Sequence, residues 1–279
     1  MYPPPKSFRP NPVTPLNLTL GWSRAKILAA PPTDSRALLA DPAALPVRDI
    51  STIDRQRVLI VAPHPDDETL GCGGSIALLC RKGYDVNVLV ISDGTGSHPN
   101  SQKYPAPALQ SMRSQETIAA LAILGVDRSA IAFLNLKDGA IPTITAPTFP
   151  AAKARCQKYL SRILPDTIFI PWRSDPHPDH RATWQLIQAA ILSLGIAPQL
   201  IEYPIWDWDP LQRQPANLTQ IAGWRLEIGD VLDRKLQAIS IYKSQLGQLI
   251  DDDPDGFCLT AELLTNFTCP WEVYFEQII

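Results

Sequence analysis

Residues 57–68 read Arg57-Val58-Leu59-Ile60-Val61-Ala62-Pro63-His64-Pro65-Asp66-Asp67-Glu68. The unbroken apolar run from Val58 to Ala62 predicts a strand buried on both faces, and such strands belong to parallel sheets covered by helices. The residues that follow place one imidazole and three carboxylates in the loop leaving the strand's carboxyl end. In open α/β sheets that is the edge at which ligands bind.

Moving outward, similar runs recur at Val86 to Ile91, Ile131 to Leu134, Thr167 to Pro171 and Leu200 to Ile205. Between them, helical patterns fall near Leu70 to Lys82, Leu109 to Leu124, Ala151 to Leu164 and Arg181 to Leu194. Gly83, Gly125 and Gly195 stand where helix C-caps are expected, because glycine enters the left-handed region without penalty. Strands alternating with helices predict an α/β fold, a Rossmann-like doubly wound, mostly parallel sheet flanked by helices. Beyond Trp206 the pattern loosens, with a hairpin expected around Leu218 to Ile228 and a helix from Val231 to Leu246.

Upstream of Arg57 the texture differs. Ten of the 28 prolines lie in the first 50 residues, where fixed φ and missing donors favour an extended arm. Residues 1–56 therefore read as a Pro-rich extension packed on the core, with an edge strand at Leu16 to Trp22, and residues 57–279 as the domain. With 25 Lys plus Arg against 28 Asp plus Glu, the chain lacks the positive excess that holds nucleic acid or a charged membrane surface. No stretch approaches the roughly 20 apolar residues of a membrane span, and no secretory pattern opens the chain. Five cysteines without a C-x-x-C pair fit reduced thiols, so a cytoplasmic location is expected.

The strand Thr167 to Pro171 leads to a second cluster, Asp175-Pro176-His177-Pro178-Asp179-His180. Parallel strands bring both loops to one sheet edge, and three of the four histidines (His64, His98, His177, His180) lie in these loops. Zinc accepts imidazole nitrogen and carboxylate oxygen, and a catalytic site uses three such ligands with a fourth position open. His64 with Asp67, and His177 with His180, are spaced for a tight turn onto one centre. Asp66, Asp67 and Asp179 could instead cap the helices that follow, but capping uses one Asp per loop and leaves the histidines idle. A metal here would acidify water and polarise a carbonyl, with a carboxylate to accept a proton and another group to protonate the leaving amine. Spacing alone leaves the individual roles open.

Together these two motifs closely resemble those of the PIG-L/LmbE-like zinc-dependent de-N-acetylases. The likeness extends from about Arg57 to Leu246 and includes Arg113-Ser114-Gln115-Glu116, Leu134-Asn135-Leu136-Lys137-Asp138-Gly139 and Tyr242-Lys243-Ser244-Gln245. The resemblance implies one Zn²⁺ held by His64, Asp67 and His180, with Asp66 as general base. It implies that His177, oriented by Asp179, is the protonated group that assists amine departure, and that Arg113 and Asp138 bind sugar hydroxyls. Local alternatives stand beside the last two: Arg113 can pair with Glu116 on its helix, and Asp138 can form the turn before Gly139.

The implied activity is removal of an N-acetyl group from an N-acetylglucosamine-containing substrate. The rivals are an amidase acting on a thiol-sugar conjugate and a non-catalytic, metal-containing carbohydrate-binding protein. Other divalent ions suit the same ligands. Gly71, Gly73 and Gly74 read as close helix packing rather than a dinucleotide fingerprint, since Ile76 occupies the third glycine's place. Trp172, Trp206 and Trp208 are candidate stacking faces for a sugar ring, and His98 reads as an ordinary loop or core residue.

Overall fold

The structure is a computed structural model and describes residues 39–53, 56–213 and 221–278. The strand expected at Leu16 to Trp22 lies outside them. Numbered along the described residues, the elements begin with β1 (Val47–Arg48), β2 (Arg57–Ala62), α1 (Asp67–Arg81), β3 (Asp85–Ser92) and α2 (Ala106–Leu124). They continue with β4 (Ile131–Leu136), α3 (Phe149–Ile163), β5 (Thr167–Pro171), α4 (Pro178–Leu194) and β6 (Gln199–Tyr203), and end with β7 (Ile221–Glu227), α5 (Leu232–Ile239), α6 (Ala261–Thr265) and β8 (Trp271–Gln277).

The eight strands form one sheet in the order β1-β7-β8-β6-β5-β2-β3-β4. All pairings are parallel except those of β8, which runs antiparallel to β6 and β7. The mostly parallel α/β sheet is thus as expected. The chain winds outward from β2 to β3 and β4, then returns to β5 on the other side of β2, so the order reverses between β2 and β5. Their carboxyl ends flank the crevice where doubly wound sheets bind ligands.

Side chains along the strands alternate between two cores. Val58, Ile60, Val88, Val90 and Phe169 face the layer built from α1, α2 and α5. Leu59, Val61, Leu89, Ile91, Ile168 and Ile170 face the layer of α3 and α4. Each fully buried aliphatic side chain contributes roughly 1.5–3 kcal/mol, which is why β2 reads as continuous rather than alternating hydrophobicity. Gly125 and Gly195 close α2 and α4 in the left-handed region, whereas α1 is capped by Lys82 and Gly83, also at positive φ, comes one residue later. The α1 glycines are packing positions: a Cβ on Gly71 would stand 2.4 Å from the Tyr203 ring and one on Gly74 2.6 Å from Ile228.

Three expectations need correction. The helix foreseen over Val231 to Leu246 stops at Ile239: the Ile241 and Tyr242 N–H groups turn to the carbonyls three residues back (3.2 and 3.1 Å), and the Ser244 N–H donates to Glu116 (2.9 Å). The strand at Ile221 is not the second arm of a local hairpin; its antiparallel partner is β8, whose run Trp271-Glu272-Val273-Tyr274-Phe275 is not among the strands expected from sequence. Trp172 is fully buried against Phe275 and faces no ligand site. Among the described residues, no helix is long and apolar enough to cross a membrane.

Candidate metal centre

The loops leaving β2 and β5 meet over the reversal point. Asp66, the residue before α1, has φ +122°, a conformation that L-residues adopt only under constraint. The constraint is visible: its N–H donates to Glu68 (3.2 Å), and its carboxylate accepts from Arg113 Nη2 (3.2 Å). Glu68 is itself held by the Thr69 hydroxyl at 3.0 Å and by Tyr242 Oη. On the other loop, Pro178 opens α4 at a position where a missing N–H is harmless. His177 precedes it, its Nδ1 accepting the Asp179 N–H at 3.2 Å.

Asp67 Oδ2 lies 3.2 Å from both His64 Nδ1 and His180 Nε2 and accepts the His64 N–H at 2.9 Å. The donor atoms of His64, His177 and His180 lie within 4.8 Å of one another, as do those of His64, Asp138 and Asp179. His180 is wholly buried, and neither of its ring nitrogens has a partner in hydrogen-bond geometry. A buried ring whose Nε2 and Nδ1 face Asp67 (3.2 Å) and Asp175 (3.4 Å) without completing hydrogen bonds is a costly arrangement for a site with nothing to bind, and this donor set suits a divalent ion of the zinc type.

Charge here is strongly redistributed. Burial pushes the Asp66 carboxyl well above its usual range; Arg113 opposes the shift, while Asp67 and Glu68 add to it. Burial acts in the same sense on Asp67, yet the His180 and His64 rings hold it well below the carboxylate range. His180 is desolvated too, but Asp175 and Asp67 raise it to about 9. Burial lowers His177 to about 4, helped by positive charge on His180 and His64. In the metal-free site His177 is therefore neutral, with Nδ1 as acceptor and the proton on Nε2.

Every site residue named from sequence reaches this cluster, though not always with the partner foreseen. The Asp179 carboxylate bonds the N–H groups of Gly139 (2.7 Å) and Ile141 (3.2 Å) and faces His64 Nε2 at 3.3 Å; only its backbone N–H touches His177. Asp138 bridges Gly96 N (2.8 Å) and His64 Nε2 (3.2 Å). Arg113 does not pair with Glu116: it donates to Gly94 O and Pro65 O as well as Asp66, while Glu116 takes the Ser244 hydroxyl. His98 is buried beside Ser97 and Gly256, a core histidine.

A cavity of about 350 Å³ opens above the centre. His64, Asp66, Asp67, Arg113, Asp138 and His177 form its polar side, and Trp206, Phe257, Leu259 and Leu263 an apolar one. Of the three tryptophans, Trp206 alone lines it, lying nearly parallel to the His177 ring at 6.0 Å. Sequence reasoning leaves Asp175 without a role of its own and Glu68, either a partner that orients a ligand or favourable charge at a helix start, outside the catalytic set, and it misses the segment after α5. The Tyr242-Lys243-Ser244-Gln245 run was the available signal for the last.

Residues 59–191 match the family described as PIG-L, GlcNAc-PI de-N-acetylase. The chain is 29% identical over 196 residues to the diacetylchitobiose deacetylase of Thermococcus kodakarensis, covering 69% of this chain and 71% of that protein. It is 35% identical over 155 residues to the 1D-myo-inositol 2-acetamido-2-deoxy-alpha-D-glucopyranoside deacetylase of Mycobacterium sp. (strain KMS), covering 48% of this chain and about half (50%) of that relative's length. Among solved structures, N,N'-diacetylchitobiose deacetylase from Pyrococcus horikoshii superposes with a TM-score of 0.53 at 25% identity, over 72% of this chain and 74% of that one.

Proposed function

From the premise that the chain carries a PIG-L family domain over residues 59–191, we propose that it is a zinc-dependent amide hydrolase removing the N-acetyl group of an N-acetylglucosamine-containing substrate. The observation that carries this reading is the convergence of His64 Nδ1 and His180 Nε2 on Asp67 Oδ2, each at 3.2 Å, beneath a cavity that also exposes Asp66 and His177. The similarity to deacetylases of acetamido sugars supports the substrate class.

His64, Asp67 and His180 would hold the ion. When bound, such an ion acidifies water and polarises a carbonyl oxygen. Asp66, raised in pKa by burial and aimed by Arg113 and the Glu68 anchor, is a stronger proton acceptor than an ordinary carboxylate, as a general base requires. His177, neutral with its proton on Nε2, can donate a hydrogen bond to the reacting acyl group, and the proton taken up by Asp66 is the one available to the departing amine. Arg113 and Asp138 line the same cavity and offer a donor and an acceptor to sugar hydroxyls, while Trp206 gives an aromatic face to the ring. The five cysteines are unpaired, which supports a reducing, cytoplasmic setting.

Acetate release from a panel of N-acetylglucosamine glycosides, before and after chelation and zinc restoration, tests the reading. Zinc-restored release supports it; undiminished release by rigorously metal-free protein overturns it.

A further inference from the structure

Asp175 stands in the second motif without an assigned role. It is completely buried, and each carboxylate oxygen is engaged. Oδ1 accepts the His177 N–H at 2.9 Å, while Oδ2 accepts the N–H groups of Ile205 (3.3 Å) and Trp206 (3.1 Å) and lies 3.4 Å from His180 Nδ1. Arg181 fastens the same turn by donating to the Asp175 and Pro176 carbonyls, both at 2.6 Å.

A turn-forming Asp needs only the first of these bonds. The second oxygen ties the loop after β5 to the cavity wall after β6, and it does so at the back of His180. The other imidazole is backed in the same way, with His64 Nε2 facing Asp138 at 3.2 Å and Asp179 at 3.3 Å. Imidazoles that bind metal through one nitrogen are commonly oriented by a carboxylate at the other.

We propose that Asp175 is a positioning residue of the metal centre: it fixes the His180 ring with its proton on Nδ1, leaving Nε2 free for the ion. The role rests on the metal-dependent reading above. Burial of Asp175 supports it, since a polar contact shielded from water is electrostatically stronger than one in solvent. Because both oxygens already accept hydrogen bonds, an amide in its place must turn its NH₂ group toward another donor.

Zinc affinity, measured by competition with a chromophoric chelator, tests the proposal. Asp175→Asn is expected to bind zinc roughly 10–100-fold more weakly than the unchanged protein. Asp253→Asn is the control: Asp253 also accepts a loop N–H, that of Asn100 at 2.9 Å, so its loss should lower thermal stability and leave zinc affinity alone. An Asp175→Asn protein that binds zinc within twofold of the unchanged protein overturns the role. Should that variant fail to fold, the His180 tautomer in the zinc-loaded unchanged protein decides, read by long-range ¹H–¹⁵N NMR; a proton on Nδ1 supports the role and one on Nε2 refutes it. An unchanged protein that binds no zinc overturns the metal reading and this role together.

Discussion

Arg113 Nη2 lies 3.2 Å from Asp66 Oδ2, with both side chains almost entirely out of solvent. The guanidinium is the main force holding the Asp66 carboxyl down against burial. Replacing it with Met should raise the Asp66 pKa further and move the acid limb of the kcat/KM profile to higher pH. An unmoved limb would remove Asp66 from the role of base.

Asp66→Asn keeps the shape of the loop but cannot take up a proton. Turnover should fall by about 10²–10⁴-fold, whereas zinc content, measured by elemental analysis, should stay near that of the unchanged protein. His180→Ala should lose both.

A proton on His180 must leave before its ring can bind metal, and that ring stays charged up to about pH 9 in the metal-free protein. Zinc affinity should therefore climb between pH 6.5 and 9, by about tenfold per unit for each proton displaced, the His64 ring being raised as well. Stability of the metal-free protein should run the other way. A raised histidine pKa stabilises fully below the unfolded value of about 6.5, and the contribution disappears as pH passes the folded value. Chelator competition and thermal melts across this range measure both trends.

How much of this was legible beforehand follows the range of the forces. Val58 to Ala62 and Thr167 to Pro171 announced themselves because a strand buried on both faces has to be apolar throughout. The two clusters, His64 with Asp67 and His177 with His180, stood out because few uses other than a metal need imidazoles and carboxylates at such spacing, whereas the choice of individual ligands among them came only with the family resemblance. The partners of Asp179 and Arg113 could not be read. They depend on which backbone N–H and carbonyl groups the turn at Gly139 and the loop at Gly94 present, and no local pattern encodes that. The partner of the Ser244 N–H is of the same kind, since Glu116 lies 128 positions away.

Tyr242→Phe tests one such distant contact. Removing the hydroxyl leaves the buried Glu68 carboxylate short of a donor, which should cost about 1–3 kcal/mol of stability. Turnover should drop with it, since Glu68 anchors the strained Asp66 backbone. Denaturant melts and steady-state rates on the same preparation separate the two effects.

Gly71→Ala should destabilise by about 1–3 kcal/mol through overpacking. The added methyl group meets the Tyr203 ring, whose hydroxyl is pinned to the Val61 carbonyl at 2.6 Å. A melting temperature equal to that of the unchanged protein would show that the ring can yield.

Strand β8 occupies an interior place in the sheet although its residues are the last to be synthesised among those described. On the ribosome, β2 to β6 can pair as they emerge, but β7 and the short β1 have no link to them until residues 271–277 arrive. Until then β6 presents a bare edge, an invitation to intermolecular pairing. A nascent chain stalled before Trp271 should accordingly draw on chaperones, whereas release of the final strand would close the sheet in one late, cooperative step.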